Sequence, residues 1–216
     1  MRTVVVKDLL ERPVDRFEEP STTDLYLGLD LGRQKDPSAL VAVRRNEFDT
    51  PGGAWRLRRY SCVGVRRWQL GTPYPDVVRE VRATMERDDL RGARLVVDAS
   101  GVGMPVVDWM RESGIQHTPV MIVGGTGQSV DNSGLWRVAK HLLVGIAQHL
   151  FRERMLVFAS GMDVLLDELT KYRVEVTKSG NEVYSAREGE HDDTVMALCL
   201  ALWYGERATR RMKVRL

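Results

Sequence analysis

The sequence predicts a mixed α/β domain with one sheet covered by helices on both faces. Three patterns lead there. Short apolar runs follow one another across turn-length connections, a strand–helix–strand alternation comes next, and helical periodicity dominates the rest. The chain of 216 residues, 43% hydrophobic and 29% charged, is long enough to bury one proper core.

Residues 1–24 carry scattered charges, two prolines and little periodicity, and read as an N-terminal arm or linker remnant. The domain proper is expected over 25–207. Its first two strands are Leu-Tyr-Leu-Gly-Leu-Asp-Leu (25–31) and Ala-Leu-Val-Ala-Val-Arg-Arg (39–45), joined by a turn-rich segment; residues 55–68 alternate well enough for a third. Short connections make these an antiparallel meander. Helical spacing of Val77, Val78, Val81 and Met85 predicts a helix over 75–87, followed by a strand at 94–98 and a helix at 104–112 with Pro105 near its start. Val-Met-Ile-Val (120–123) then closes a βαβ unit with parallel strands.

After the glycine-rich loop 124–127, Ser133 is the expected N-cap of a long helix reaching about residue 154. A shorter helix starts at Ser160 or Gly161 and ends at Lys171. Residues 172–177 and 182–186 flank Lys-Ser-Gly-Asn as a hairpin, and the last helix spans about 192–207. A basic tail, 208–216, contains Arg210, Arg211, Lys213 and Arg215. This order is that of a ribonuclease H-like fold: a mixed five-stranded sheet with helices on both faces, plus an extra β-hairpin before the last helix.

Composition excludes several classes. The two cysteines, Cys62 and Cys199, are far apart and can build neither a disulfide framework nor a cysteine-rich zinc site. The longest apolar run, 194–204, is too short for the roughly 20 residues of a membrane span. Charges throughout the first twenty residues leave no apolar signal core, so the expectation is a protein that is neither secreted nor membrane-bound. A net charge of +2 is too mild to identify a nucleic-acid partner by itself.

The acids are more informative. Asp30 interrupts an apolar strand, Asp98 ends another, and Asp192 with Asp193 opens a strongly apolar helix. Each has an ordinary structural reading, as a strand-ending turn or as a first-turn acid favoured by the helix dipole. Together, on strands that are central neighbours, they would converge at one sheet edge. Clustered carboxylates repel unless divalent cations lie between them, and hard oxygen donors suit Mg²⁺ or Mn²⁺. Two such ions can promote phosphodiester hydrolysis.

Three segments carry a resemblance to a known family: Leu-Gly-Leu-Asp-Leu-Gly (27–32) with Lys-Asp-Pro-Ser-Ala (35–39), Val-Val-Asp-Ala-Ser-Gly-Val-Gly (96–103), and Glu-His-Asp-Asp-Thr-Val-Met-Ala-Leu (190–198). The chain resembles, from about 25 to 204, the nuclease domain of tailed-bacteriophage large terminase subunits. That resemblance implies a metal-dependent endonuclease that cuts double-stranded DNA during viral genome packaging by two-metal hydrolysis. It implies Asp30, Asp98 and one or both of Asp192 and Asp193 as ligands to two Mg²⁺ or Mn²⁺ ions, with Asp193 the preferred third ligand. It also implies a packaging ATPase domain, a small terminase subunit and a portal as partners, and the cytoplasm of an infected host as the place of action. Many relatives carry a further Asp where this chain has Met196.

No G-x-x-x-x-G-K-[ST] motif occurs, so the chain reads as an excised domain or a stand-alone relative, expected to cleave without ATP. Asp36 reads first as turn chemistry in Asp-Pro-Ser and second as a supporting acid beside the metals; His191 reads as a loop histidine, with orientation of water or phosphate as its alternative. Arg56, Arg58, Arg59, Arg66 and Arg67, with Arg210, Arg211 and Lys213, are candidates for phosphate contact. His141 and His149 carry no expected chemistry. The alternatives are a Holliday-junction-resolvase-like nuclease and a degenerate, non-catalytic DNA-binding domain of the same fold.

Overall fold

In the computed structural model the described residues are 19–32, 36–49, 56–101, 103–176, 182–185 and 191–212. The meander forms as expected: β1 (Thr22–Asp30), β2 (Ala39–Asp49) and β3 (Arg56–Arg67) pair antiparallel in sequence. Then come α1 (Tyr74–Met85), β4 (Arg94–Asp98), α2 (Gly103–Glu112) and β5 (His117–Val123). Strand β4 lies parallel between β1 and β5, which is the predicted βαβ unit.

The chain continues through β6 (Gln128–Val130), β7 (Trp136–Ala139), α3 (Lys140–Arg152), β8 (Leu156–Phe158) and α4 (Asp163–Lys171). A hairpin of β9 (Arg173–Val176) and β10 (Glu182–Ser185) precedes α5 (Asp193–Met212). The expected hairpin turn lies outside the described residues. Among the described residues the main sheet has eight strands, ordered β6-β7-β5-β4-β1-β2-β3-β8, not the five expected.

Part of the difference lies in the predicted long helix. Its first turns are strand β7, which pairs parallel with β5, so Ser133 caps nothing and the helix starts at Lys140 after Ala139. Trp-Arg-Val-Ala fits either periodicity over so short a stretch, and the open edge of β5 decides for strand. Strand β8 is likewise three residues that become a strand only by pairing with β3. The last helix runs through Met212, past the expected start of the tail at 208.

Side-chain parity on the strands positions the site. Tyr26, Val41, Val43 and Val96 face one core layer, where α3, α4 and α5 pack. Leu27, Leu29, Leu40, Leu95 and Val97 face the other, against Val77, Val78 and Val81 of α1 and Val106, Val107 and Met110 of α2. Asp30 shares parity with Tyr26 and Gly28, and Asp98 with Val96. Both therefore point to the α5 side. A register shift opposite Ala42 and Val43 switches parity within β3, because Ala42 pairs with Gly64 and Val43 with Cys62. Arg67 thus shares the α5 face while Arg66 turns to α1.

Helix α5 is buried almost all round, from Val195 to Trp203, and is the central helix of its layer. Its apolar content serves packing: no described helix is long and apolar enough to cross a membrane.

Candidate active site

Asp30 and Asp98 are the last residues of two adjacent parallel strands whose preceding residues, Leu29 and Val97, are register partners. Neighbouring strands lie about 4.8 Å apart, so equal parity sets the two carboxylates side by side at the sheet's edge. The Asp98 carboxylate is fixed by the Ser100 N–H, which donates to its Oδ1 at 2.7 Å. Ser100 is held in turn, its Oγ accepting from the Ile122 N–H at 2.8 Å. Helix α2 begins against this turn, where a Cβ on Gly103 would lie 2.5 Å from the Asp98 carbonyl oxygen.

Helix α5 delivers the other acids. A Cβ at Gly28 would lie 1.9 Å from the Ala197 carbonyl oxygen, so only glycine lets the helix sit this close on β1. Ala197 is one turn below Asp193, and Gly28 is two residues before Asp30. That contact brings the start of α5 over the end of β1. Asp192 pairs with Lys140 Nζ at 3.2 Å. Asp193 is 5% exposed, and its Oδ2 lies 3.6 Å from His191 Nδ1, which is 3.8 Å from Asp36 Oδ1.

The electrostatics follow from this crowding. Asp30 is pushed well above the usual carboxylate range, first by burial and then by Asp98, Asp193 and Asp192, with Lys140 opposing. Burial and Glu168 push Asp193 up to about 7, against Arg67 and with help from Asp36 and Asp192. Both shifts favour the neutral form of Asp30 and Asp193 over the charged one, and a bound cation would oppose them.

The donor set fits a divalent cation. Asp193 Oδ2 and His191 Nδ1 are buried and have no hydrogen-bond partner among the described residues. One ligand atom from each of Asp36, His191 and Asp193 lies within 4.8 Å of the others. Asp36 and His191 thus stand beside Asp193.

The arginines do not gather into one face. Arg56 pairs with Glu47 at 3.3 Å and Asp49 at 2.9 Å, Arg58 with Glu206 at 2.7 Å, Arg66 with Glu80 at 3.1 Å, and Arg67 with Glu168 at 3.5 Å. The side chains of Arg210 and Arg211, and Lys213 altogether, lie outside the described residues. His141 and His149 line a cleft of about 680 Å³ with Trp203 and Arg207 that shares no residue with the acids.

Sequence reading missed Lys140 and Glu168. Both left a signal. Lys140 is a cation in the first turn of a helix, where the dipole disfavours it. Glu168 falls on the apolar stripe of α4, three residues after buried Leu165.

No family model matches the chain. It is 29% identical over 175 residues to the terminase large subunits of Thermus phage G20c and Thermus virus P23-45, covering 81% of this chain and 30% of each relative. The chain thus spans less than a third of the length of these curated relatives. Among solved structures, the large terminase nuclease of phage G20c with bound magnesium superposes with a TM-score of 0.61 at 25% identity, over 86% of this chain and 83% of that one. The large terminase nuclease domain of Thermus phage P74-26 gives 0.58 at 26% identity, over 83% and 78%. The manganese-bound nuclease domain of the bacteriophage SPP1 large terminase, at 14% identity and a TM-score of 0.52 over 84% and 86%, shares the fold. The relatives are phage terminase large subunits, and the ribonuclease H-like architecture is that of their nuclease domains.

Proposed function

We propose that this chain is a divalent-metal-dependent endonuclease of the terminase type that cuts double-stranded DNA during viral genome packaging. The observation that carries the reading is the convergence of Asp30, Asp98 and Asp193 at one sheet edge, with a buried carboxylate oxygen left without a hydrogen-bond partner among the described residues. The relatives with bound magnesium and manganese support it.

Asp30, Asp98 and Asp193 would hold two Mg²⁺ or Mn²⁺ ions, with Asp192, Asp36 and His191 beside them. Bound there, such ions stabilise charge on a phosphodiester and make water a better nucleophile near neutral pH. The chain's own groups set the conditions. Ser100 aims the Asp98 carboxylate. Lys140 holds Asp192 and adds positive charge beside a group that must receive a phosphate. His191 stands between Asp36 and Asp193, its Nδ1 3.8 Å and 3.6 Å from their carboxylates. The acids lie at the carboxyl ends of the central strands β1 and β4, under the start of α5.

The wider setting belongs to the same proposal: a packaging ATPase domain, a small terminase subunit and a portal as partners, in the cytoplasm of the infected host. Incubating supercoiled plasmid with the chain and Mg²⁺, Mn²⁺ or EDTA tests the reading. Nicking or linearisation with metal and none with EDTA is the expected result. Binding without cleavage under every metal condition would make it a DNA-binding domain, and cleavage confined to four-way junctions would make it a resolvase.

A further inference from the structure

Among the described residues, helix α5 starts without a cap from its own acids. A helix N-terminus leaves backbone N–H groups unsatisfied, and the nearest Asp ordinarily caps them. Here Asp192 turns to Lys140 and Asp193 turns to His191. The cap comes from α4 instead. Glu168, 4% exposed, accepts the Thr194 N–H at 2.9 Å and the Thr194 hydroxyl at 2.5 Å, both on Oε2. Its Oε1 makes no hydrogen bond among the described residues and faces Arg67 at 3.5 Å. Thr194 is fully buried, so neither of its polar groups can turn to water instead.

We infer that Glu168 is a positioning residue for the metal-binding acids: it caps α5 in their place and so frees and aims Asp193. Arg67, at the end of β3, holds Glu168 from the other side. This ties β3, α4 and the start of α5 into one bracket around Asp193. The inference rests on the nuclease reading above, since it concerns what aims that reading's third ligand. It gives Arg67 a structural task in place of the phosphate contact expected from sequence.

The test uses the full chain and Mn²⁺ alone. Wild type, Glu168→Ala, Glu168→Gln and Thr194→Val are compared by calorimetric Mn²⁺ titration, thermal melting, and kcat and KM on supercoiled plasmid. Residues that support metal ligands through hydrogen bonds typically change affinity or activity by about 10- to 100-fold. Glu168→Ala should therefore lose about tenfold or more in Mn²⁺ affinity and in kcat, with KM for DNA unchanged. Glu168→Gln keeps an oxygen that accepts from Thr194 and should restore most of both. Thr194→Val should move them in the same direction as Glu168→Ala by a smaller factor, which decides the matter if the alanine variant fails to fold.

A folded Glu168→Ala with wild-type Mn²⁺ affinity and kcat overturns the inference. So does a Glu168→Gln as damaging as alanine, because charge rather than aim would then be the agent. Wild type that neither binds Mn²⁺ nor cuts overturns the nuclease reading and the inference with it, and the wild-type titration alone separates that case from the others.

Discussion

The two ends of α5 meet opposite electrostatic surroundings. At its start Asp30, Asp98, Asp192 and Asp193 crowd one sheet edge, with Asp36 and Glu168 close by, and Lys140 and Arg67 bring the counter-charge. Toward its other end, buried Arg45 donates to the Gly205 carbonyl at 2.6 Å and pairs with Asp24, while Glu206 accepts from both Arg58 and Tyr60 at 2.7 Å. Tyr60 is pushed far above its ordinary range by burial and by Glu206, so it stays a donor. One end is neutralised by side chains the protein supplies itself. The other keeps an excess of negative charge and oxygen donors, which is what a cation site needs and a stability-optimised core avoids.

The largest expected effect breaks the first of these ends. Asp30→Asn, Asp98→Asn or Asp193→Asn should each lower plasmid cleavage about a thousandfold or more while the chain stays folded, because the charge that holds a transition-state stabiliser is gone. The same variants should melt no lower than wild type without metal, since each removes repulsion. Asp192→Asn loses its pairing with Lys140 and should cost much less; a loss as large as that of Asp193→Asn would make Asp192 a ligand.

Next in size is Arg45→Met at the opposite end. Removing one partner of a buried ion pair should cost about 3 kcal/mol in urea unfolding, with cleavage per folded molecule unchanged. Cleavage that fell in step with Asp30→Asn would show that the two ends are coupled through α5.

The pH dependence sharpens the contrast. Asp193 would ionise at 3.8 in an unfolded chain and does so at about 7 in the fold. Between those values the native state binds more protons than the unfolded one, so metal-free stability should fall as pH rises from about 4 to about 7. Saturating Mg²⁺ or Mn²⁺ should flatten that slope in thermal melts, and Asp193→Asn should reduce it without metal, leaving the part that Asp30 contributes. A slope indifferent to both would remove Asp193 as its source.

The smallest effect is expected at the surface. Arg66→Ala breaks an exposed pair with Glu80 and should change stability by less than about 1 kcal/mol. Its weight in DNA binding is read from salt. Every phosphate that an arginine neutralises adds about 0.9 to the slope of log affinity against log salt, so the alanine variant should show a slope shallower by about that much. An unchanged slope would remove Arg66 from the DNA-binding set.

Much of this was legible in the sequence. The meander, the βαβ unit and the apolar final helix follow from periodicity, and the acids stand out against apolar runs: Asp30 interrupts one, Asp98 ends another and Asp193 opens a third. Strands β7 and β8 were not legible, because four and three residues cannot declare a period and took their form from β5 and β3. The arginines of β3 looked like one basic strip. A register shift turns Arg66 away from the face of Arg56 and Arg58, and five acids on other elements pair with the arginines.

What the sequence determined by itself is therefore the type of the longer elements and the positions of the acids, because both are properties of neighbours along the chain. Burying an aspartate at a strand end is costly enough to stand out against an apolar background. Only the tertiary structure decided which charges are neutralised. Glu168 and Arg67 are 101 residues apart, and Lys140 and Asp192 are 52 apart. Coulomb energy depends on distance through space and on local solvation, and neither is written in sequence separation. The same kinds of charged residue therefore make an ion-paired network at one end of α5 and a carboxylate-rich site at the other.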